Sequence, residues 1–199
     1  MPLFSPEDIE KTMQIPEKEE NAYSCSCRIN KAEIRLGKVR EKIRDVIGDI
    51  SGIDLIDYTS MGRWSMHHLL FYLLEKTGPA KVWFTTWAIS TKAITMMVDA
   101  LSDGTITELH SLLDRRIRIR RSDCMAFLTH NANSIFLIDC HAKVLLIENN
   151  AWRIVVKSSA NFSENKRIES GVIMQIPEVF NINKKWIEET IKGEKAFEV

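Results

Sequence analysis

His141 and Lys143 stand two residues apart at the head of an apolar segment, and Ser159 and Asn161 follow the next apolar segment. Because side chains alternate between the two faces of a strand, each pair is expected to point to one side. These groups suit a phosphate: a neutral imidazole can attack phosphorus, lysine supplies a compact positive charge, and the hydroxyl and amide can bind non-bridging oxygens. A carboxylate behind the imidazole would fix its tautomer, and Glu169 in "NKRIES" is the candidate for that role.

The two apolar segments, "IFLIDCHAKVLLIE" and "WRIVVKSSAN", indicate a β-hairpin because only "NNA" separates them. A loop made of these three residues pairs Glu148 with Trp152 and places Ser159 directly opposite His141. A nucleophile, a cation, a hydroxyl and an amide are then expected to converge at two adjacent strand ends. A one-residue change of register would break this convergence.

Strand-like and helix-like segments alternate ahead of the hairpin. The expected strands cover 52–59, 80–89, 106–114 and 134–140, and the expected helices cover 65–78, 91–104 and 122–132. Such alternation is typical of an α/β domain built around a largely parallel or mixed sheet.

The segment 31–47 has a different pattern. It carries Leu36, Val39, Ile43 and Val46 at three-to-four spacing, which predicts an amphipathic helix with a solvated charged face. The polar stretch ahead of it, which includes "PEKEENAYS", is expected to be an exposed linker.

Two short motifs in the hairpin region resemble a known catalytic signature. "HAK" at 141–143, followed by "SSANFSENKRIE" at 158–169, is similar to the motif of the phospholipase D superfamily, H-x-K-x4-D with a downstream G-S-x-N. Here Glu148 takes the place of the family aspartate, which is read as more structural than chemical, and Ser158 takes the place of the glycine. The gap between the two half-motifs is also longer than in the family formula.

This resemblance implies an architecture. The expected fold is α/β, a phospholipase D-like mixed, largely parallel sheet flanked by helices, with an N-terminal helical segment. Residues 1–48 would form a polar segment plus the amphipathic helix, and residues 49–199 would form the catalytic domain.

The resemblance also implies residue roles. His141 would attack the phosphorus and form a covalent phosphohistidine. Lys143 and Asn161 would hold the phosphoryl oxygens, with Ser159 assisting, and Glu169 would orient an active-site histidine. No cofactor and no metal ion would be needed.

A second histidine is required to protonate the leaving oxygen and later to activate water. The remaining histidines lack a lysine two residues on: His67, His68, His110 and His130. Superfamily members with a single motif solve this by forming a two-fold homodimer with one composite site, since a two-fold axis duplicates each residue. A homodimer is therefore expected.

An arginine cluster lies within "LLDRRIRIRRSD" and comprises Arg115, Arg116, Arg118, Arg120 and Arg121. Arginine pairs well with phosphate, and such contacts contribute much of nucleic-acid affinity. The alternative is a solvated edge or helix face with Ile117 and Ile119 turned inward. Beside a phosphodiester-cleaving site, we favour contact with nucleic acid, most simply DNA.

Composition narrows the remaining choices. Twenty-seven basic residues balance 27 acidic ones, so any nucleic-acid binding must come from a local patch. Four irregularly spaced cysteines indicate neither a disulfide scaffold nor a zinc site. The start of the chain lacks the pattern of a signal peptide and no apolar run is long enough to span a bilayer, so a soluble cytoplasmic protein is expected.

The leading hypothesis is a homodimeric, metal-independent endonuclease. A lipid phosphodiesterase or phosphatidyl transferase is the alternative enzyme. A nucleic-acid-binding module with a degenerate site is the alternative from another class, suggested by Glu148 and Ser158. Single residues also have plainer interpretations: His67 and His68 suit a surface or capping role, and Trp83 and Trp87 suit a core position, with stacking on bases as the alternative.

Overall fold

The computed structural model describes residues 24–39, 41–120, 122–164 and 166–193. Its strands are β1 (Ala32–Leu36), β2 (Leu55–Ser60), β3 (Ala80–Thr86), β4 (Ile106–Asp114), β5 (Ser134–Ile138), β6 (Val144–Glu148), β7 (Arg153–Ser158) and β8 (Glu169–Met174). Its helices are α1 (Ile43–Ile47), α2 (Met66–Thr77), α3 (Thr91–Ser102), α4 (Arg116–Arg120), α5 (Ser122–Asn131) and α6 (Pro177–Ile191). Within the described residues, no helix combines the length and apolar character needed to cross a membrane.

The strands form one mixed sheet in the order β1-β2-β8-β7-β6-β3-β4-β5. Pairing is parallel between β1 and β2 and along β3-β4-β5, and antiparallel from β2 through β8, β7 and β6 to β3. The α/β fold with a mixed sheet is confirmed, but its centre is antiparallel rather than largely parallel. The reason is that the β6–β7 hairpin and β8 lie between β2 and β3, and a tight hairpin can join only antiparallel strands.

Both faces of the sheet are buried. A larger apolar cluster joins one face to residues of α1 to α5, and a smaller cluster joins the other face to α6. Neighbouring residues of one strand therefore serve different clusters: Leu145 belongs to the larger and Leu146 to the smaller. This explains why β6 is continuously apolar rather than alternating, as expected for a strand covered on both faces.

The expected helix over 31–47 is wrong. Residues 32–36 form β1, which pairs with β2, and only residues 43–47 are helical. Leu36 and Val39 are 70% and 75% exposed while Val46 is buried, so they do not form one buried stripe. The apolar side chains of β1 lie on its exposed face, so the strand is held by backbone pairing with the edge of β2 rather than by burial of an apolar face. The segments on either side of residue 48 thus share one sheet, and most of the expected linker lies outside the described residues.

The hairpin register differs by one residue from the expected register. Glu148 pairs with Arg153, so the turn has four residues, 149–152. The side-chain oxygen of Asn149 accepts hydrogen bonds from the amides of Ala151 at 3.0 Å and Trp152 at 2.9 Å. This keeps Trp152 in the turn, and as a result Ser158 rather than Lys157 lies opposite Lys143, whose carbonyl oxygen accepts from the amide of Ser158 at 3.2 Å.

Gly171 on β8 lies against the ring of Tyr58 on β2. A Cβ at position 171 would stand 2.5 Å from the carbonyl oxygen of Lys157 and 2.6 Å from Tyr58 Oη. Without it, Tyr58 Oη donates to Ser158 Oγ at 3.0 Å. Burial raises the pKa of Tyr58 above its ordinary value, so the phenol remains a donor. The contact fixes the end of β7.

We expect Gly171→Ala to lower the free energy of unfolding by about 1–3 kcal/mol, because the added methyl group overpacks this contact. Urea denaturation would measure the change. Adding Tyr58→Phe should restore part of the loss by removing one of the three clashing atoms, while Ser170→Ala serves as the neighbouring control. Unchanged stability of Gly171→Ala would contradict the packing described here.

Candidate active site

One edge of the sheet collects the residues that the sequence singled out. Six strands end at this edge with their carboxyl ends, whereas β6 and β8 run the other way and begin there. His141 and Lys143 immediately precede β6, Ser159 and Asn161 follow β7, and Glu169 begins β8. Because β6, β7 and β8 are neighbours, their ends meet. Ligands of open α/β sheets commonly bind at the carboxyl ends of strands.

Lys143 lies beside the imidazole of His141. Its Nζ stands 3.2 Å from Nδ1 and 3.4 Å from Nε2, and donates to the carbonyl oxygen of His141 at 2.6 Å. His141 is exposed and Lys143 is partly buried. The edge therefore presents an accessible imidazole with a lysine amine at its side.

The pKa of Lys143 lies below the ordinary value for lysine. Partial burial is the main cause, and negative charge on Cys140 and Glu169 opposes it. Lys143 thus gives up its proton at a lower pH than an exposed lysine does.

Asn161 is fixed by its side chain and by its backbone. Thr86 Oγ1 donates to its Oδ1 at 3.2 Å, which leaves the amide Nδ2 as the donor end. The carbonyl oxygens of Asn161 and Phe162 accept from the amides of Met66 at 3.2 Å and Ser90 at 3.0 Å. These amides lie at the start of α2 and α3, where the first turn of a helix leaves donors unused. The two helices therefore hold the loop that carries Asn161.

Ser159 contacts Glu169 rather than standing opposite His141. Its hydroxyl donates to the Glu169 carboxylate and accepts from the amide of Ser170 at 3.0 Å. Glu169 is 9% exposed. Since a serine has one proton to donate, this geometry makes Ser159 a positioning group for the buried carboxylate.

Trp87 and Asp114 also lie at this edge; the sequence analysis favoured a core position for Trp87, with base stacking as the alternative, and did not select Asp114. The ring of Trp87, which directly follows β3, lies 5.7 Å from the ring of His141, centroid to centroid. Asp114 ends β4, is fully buried, and accepts from Arg116 Nε at 2.7 Å and Nη2 at 2.9 Å. The hydrogen bonds from Arg116 lower the pKa of Asp114. The only signal available in the sequence was the position of each residue at a strand end.

The arginine cluster is only partly free for a ligand. Arg115 pairs with Asp139 at 2.5 Å, whereas Arg118 is exposed on the short helix α4. Ile117 is buried but Ile119 is 85% exposed, so the alternative in which both isoleucines turn inward holds for Ile117 only. Arg121 and the side chain of Arg120 lie outside the described residues.

Glu148 stands at the far end of β6, away from His141. Its carboxylate contacts Lys184 of α6 at 2.6 Å and Arg153 of β7 at 3.3 Å. The residue therefore connects the hairpin to the helix that covers it. Nothing in this arrangement brings its charge into the site.

The two adjacent histidines lie in the first turn of α2 with their rings 4.0 Å apart. His68 Nδ1 accepts from the amide of Ser65 at 3.1 Å, which is the expected capping role. His67 is fully buried, with Nδ1 2.8 Å from Ser65 Oγ. Burial lowers the pKa of His67 to about 4, so this histidine is neutral at physiological pH.

Comparison with known proteins gives likeness in fold. No protein-family model matches this chain, and no curated protein matches it in sequence. The polyphosphate kinase of Porphyromonas gingivalis matches 72% of this chain with a TM-score of 0.50 and 13% identity, over 27% of the kinase. The archaeal chromatin protein TrmBL2, whose structure shows a novel mode of DNA binding, matches 76% of this chain with a TM-score of 0.47 and 11% identity, over 57% of TrmBL2.

This chain thus spans about a quarter of the length of the polyphosphate kinase. At 13% identity, the likeness shows a shared α/β fold. This likeness concerns the fold and not the activity, substrate or partners of the chain.

The low pKa of His67 makes stability depend on pH. In the unfolded chain this histidine binds a proton below about pH 6.5, whereas in the folded chain it does so only near pH 4. The unfolded state therefore gains protons as the pH falls between these values, and we expect the free energy of unfolding to drop by about 2 kcal/mol from pH 7 to pH 5. His67→Gln should remove that part of the decrease in urea denaturation, and the exposed His130→Gln should not. Equal pH dependence of wild type and His67→Gln would contradict the burial of a neutral imidazole.

The low pKa of Lys143 predicts an alkaline limit to any reaction that needs its positive charge. Turnover should fall as the pH rises through a value below 10.5, the ordinary pKa of lysine. Lys143→Arg keeps the charge to higher pH and should move the limit upward. Rates of substrate cleavage from pH 7 to 11 would show this, with Lys157→Arg on β7 as the control. A limit at the same pH in Lys143→Arg would assign it to another group.

Proposed function

We propose that the chain is a phosphodiesterase of the phospholipase D type that cleaves nucleic-acid phosphodiester bonds without a metal ion. The observation that carries this proposal is the placement of His141, Lys143 and Asn161 at one sheet edge, where the buried Glu169 begins the neighbouring strand β8. The fold that the chain shares with a polyphosphate kinase is in keeping with a phosphate site at this edge.

The proposed reaction has two steps. An imidazole nitrogen of His141 attacks phosphorus, a nitrogen–phosphorus bond forms, and the bond to the leaving oxygen breaks as that oxygen takes a proton from a general acid. Water then attacks phosphorus, gives its proton to the same group and releases His141. Lys143 and the amide of Asn161 stabilise the charge on the non-bridging oxygens throughout.

The general acid is proposed to come from a second copy of the chain. The sequence holds a single H-x-K motif, and a two-fold axis beside the edge would place His141 of the partner subunit across the same phosphate. The exposure of His141 at the surface is compatible with such an arrangement. Light scattering of the purified protein should give the mass of a homodimer.

Arginine beside the site favours nucleic acid over lipid. Arg118 is exposed on α4, and Arg115 and Arg116 of the same segment lie next to the edge, each about half exposed. Arginine side chains bind phosphate groups well, and a polynucleotide presents a phosphate at every step. Arg115 and Arg116 already pair with Asp139 and Asp114, so phosphate would have to share these two arginines with the carboxylates.

We expect the wild-type protein to cleave labelled DNA in excess EDTA, with single-stranded and double-stranded substrates tested in parallel. His141→Ala should lower the rate by roughly three orders of magnitude or more, because it removes the nucleophile. His130→Ala, which changes an exposed histidine on α5, should cleave like the wild type. Equal cleavage by wild type and His141→Ala, or none by either, would contradict the proposal. In the second case, lipid substrates and binding without turnover become the competing functions.

A further inference from the structure

Trp87 lies within reach of a nucleotide whose phosphate contacts His141. It leaves β3 at the edge that holds His141, and the two rings are 5.7 Å apart with their planes at 54°. The indole is neither fully buried nor fully exposed. At this distance, one of the nucleotides that flank a phosphodiester in contact with His141 can reach the indole.

Arg116 gives the indole a fixed neighbour. Its guanidinium carbon stands 5.6 Å from the centre of the Trp87 ring. Two hydrogen bonds from the guanidinium to the fully buried Asp114 hold it there, and the same carboxylate accepts from the amide of Cys140 at 3.3 Å. The tryptophan and the arginine thus form a preorganised pair of flat surfaces beside the nucleophile.

We propose that Trp87 and Arg116 form a base-binding subsite, in which the indole stacks on the base adjacent to the scissile phosphate. The inference rests on the proposed phosphodiesterase function and specifies its substrate as single-stranded nucleic acid. In a duplex both faces of a base are already stacked, whereas an unpaired base can offer a face to an aromatic side chain.

Binding without turnover tests this subsite. The full-length chain carrying His141→Asn would be titrated, in EDTA, into a fluorescein-labelled oligothymidylate and into a strand of equal length that lacks bases. Adding Trp87→Leu should weaken binding to the thymidylate about tenfold and to the abasic strand less than about twofold. Trp87→Phe, which keeps an aromatic ring, should retain most of the affinity. Trp152→Leu in the distant hairpin turn is the matched control.

The outcomes separate the subsite from the reaction. The subsite is overturned if Trp87→Leu changes the affinity for both strands equally or changes neither. It is also overturned if the protein binds no strand at all. If a duplex binds as tightly as the single strand, and this binding also depends on Trp87, the assignment to single-stranded nucleic acid is overturned. Base-dependent binding by a protein that never cleaves supports the subsite and overturns the phosphodiesterase. A uridine ribo-oligonucleotide in the same assay shows whether the subsite accepts RNA as well as DNA.

Discussion

The turn that begins at Asn149 sets the register of the central hairpin, and every contact of the site follows from that register. Its side-chain oxygen binds two amides of the turn, so Trp152 stays in the turn and Glu148 pairs with Arg153. Buried residues on both faces of β6 and β7 then resist any slip, because a shift by one residue would exchange the side chains that face the two apolar clusters. The same register therefore sets the positions of the polar residues just beyond the strand ends.

Because the sheet is mixed, some strands begin at this edge and others end there. His141 and Lys143 come from the beginning of β6, while Asn161 and Trp87 come from the ends of β7 and β3. The helices α2 and α3 also begin here and donate amides to the loop after β7. Helix N-termini carry partial positive charge, which favours an anionic ligand. An edge built in this way can attract phosphate although the whole chain is electrically balanced.

The sequence pattern predicted those elements whose apolar spacing fits either a helix or a strand, but not both. The helix over 65–78 and the strand over 106–114 correspond to α2 and β4, because their apolar spacing fits one period only. Pattern alone does not give the register, because a side-chain hydrogen bond of Asn149 decides it, and it predicts a helix over β1 because the apolar spacing of 31–47 also fits a helix. It favours a core position for Trp87 because an aromatic side chain at a strand end resembles one more apolar position. Strand β8 and helix α6 were not predicted.

The central claim is that His141 is the nucleophile, and trapping the covalent intermediate tests it most directly. Full-length protein would be mixed with a single-stranded oligonucleotide in EDTA, quenched in alkali, in which a phosphohistidine survives, and digested for mass spectrometry. Our mechanism predicts that the peptide containing His141 gains the mass of a cleaved strand, that acid removes it, and that His141→Ala shows no adduct. Cleavage with an adduct on another residue, or cleavage by His141→Ala at the wild-type rate, would contradict it.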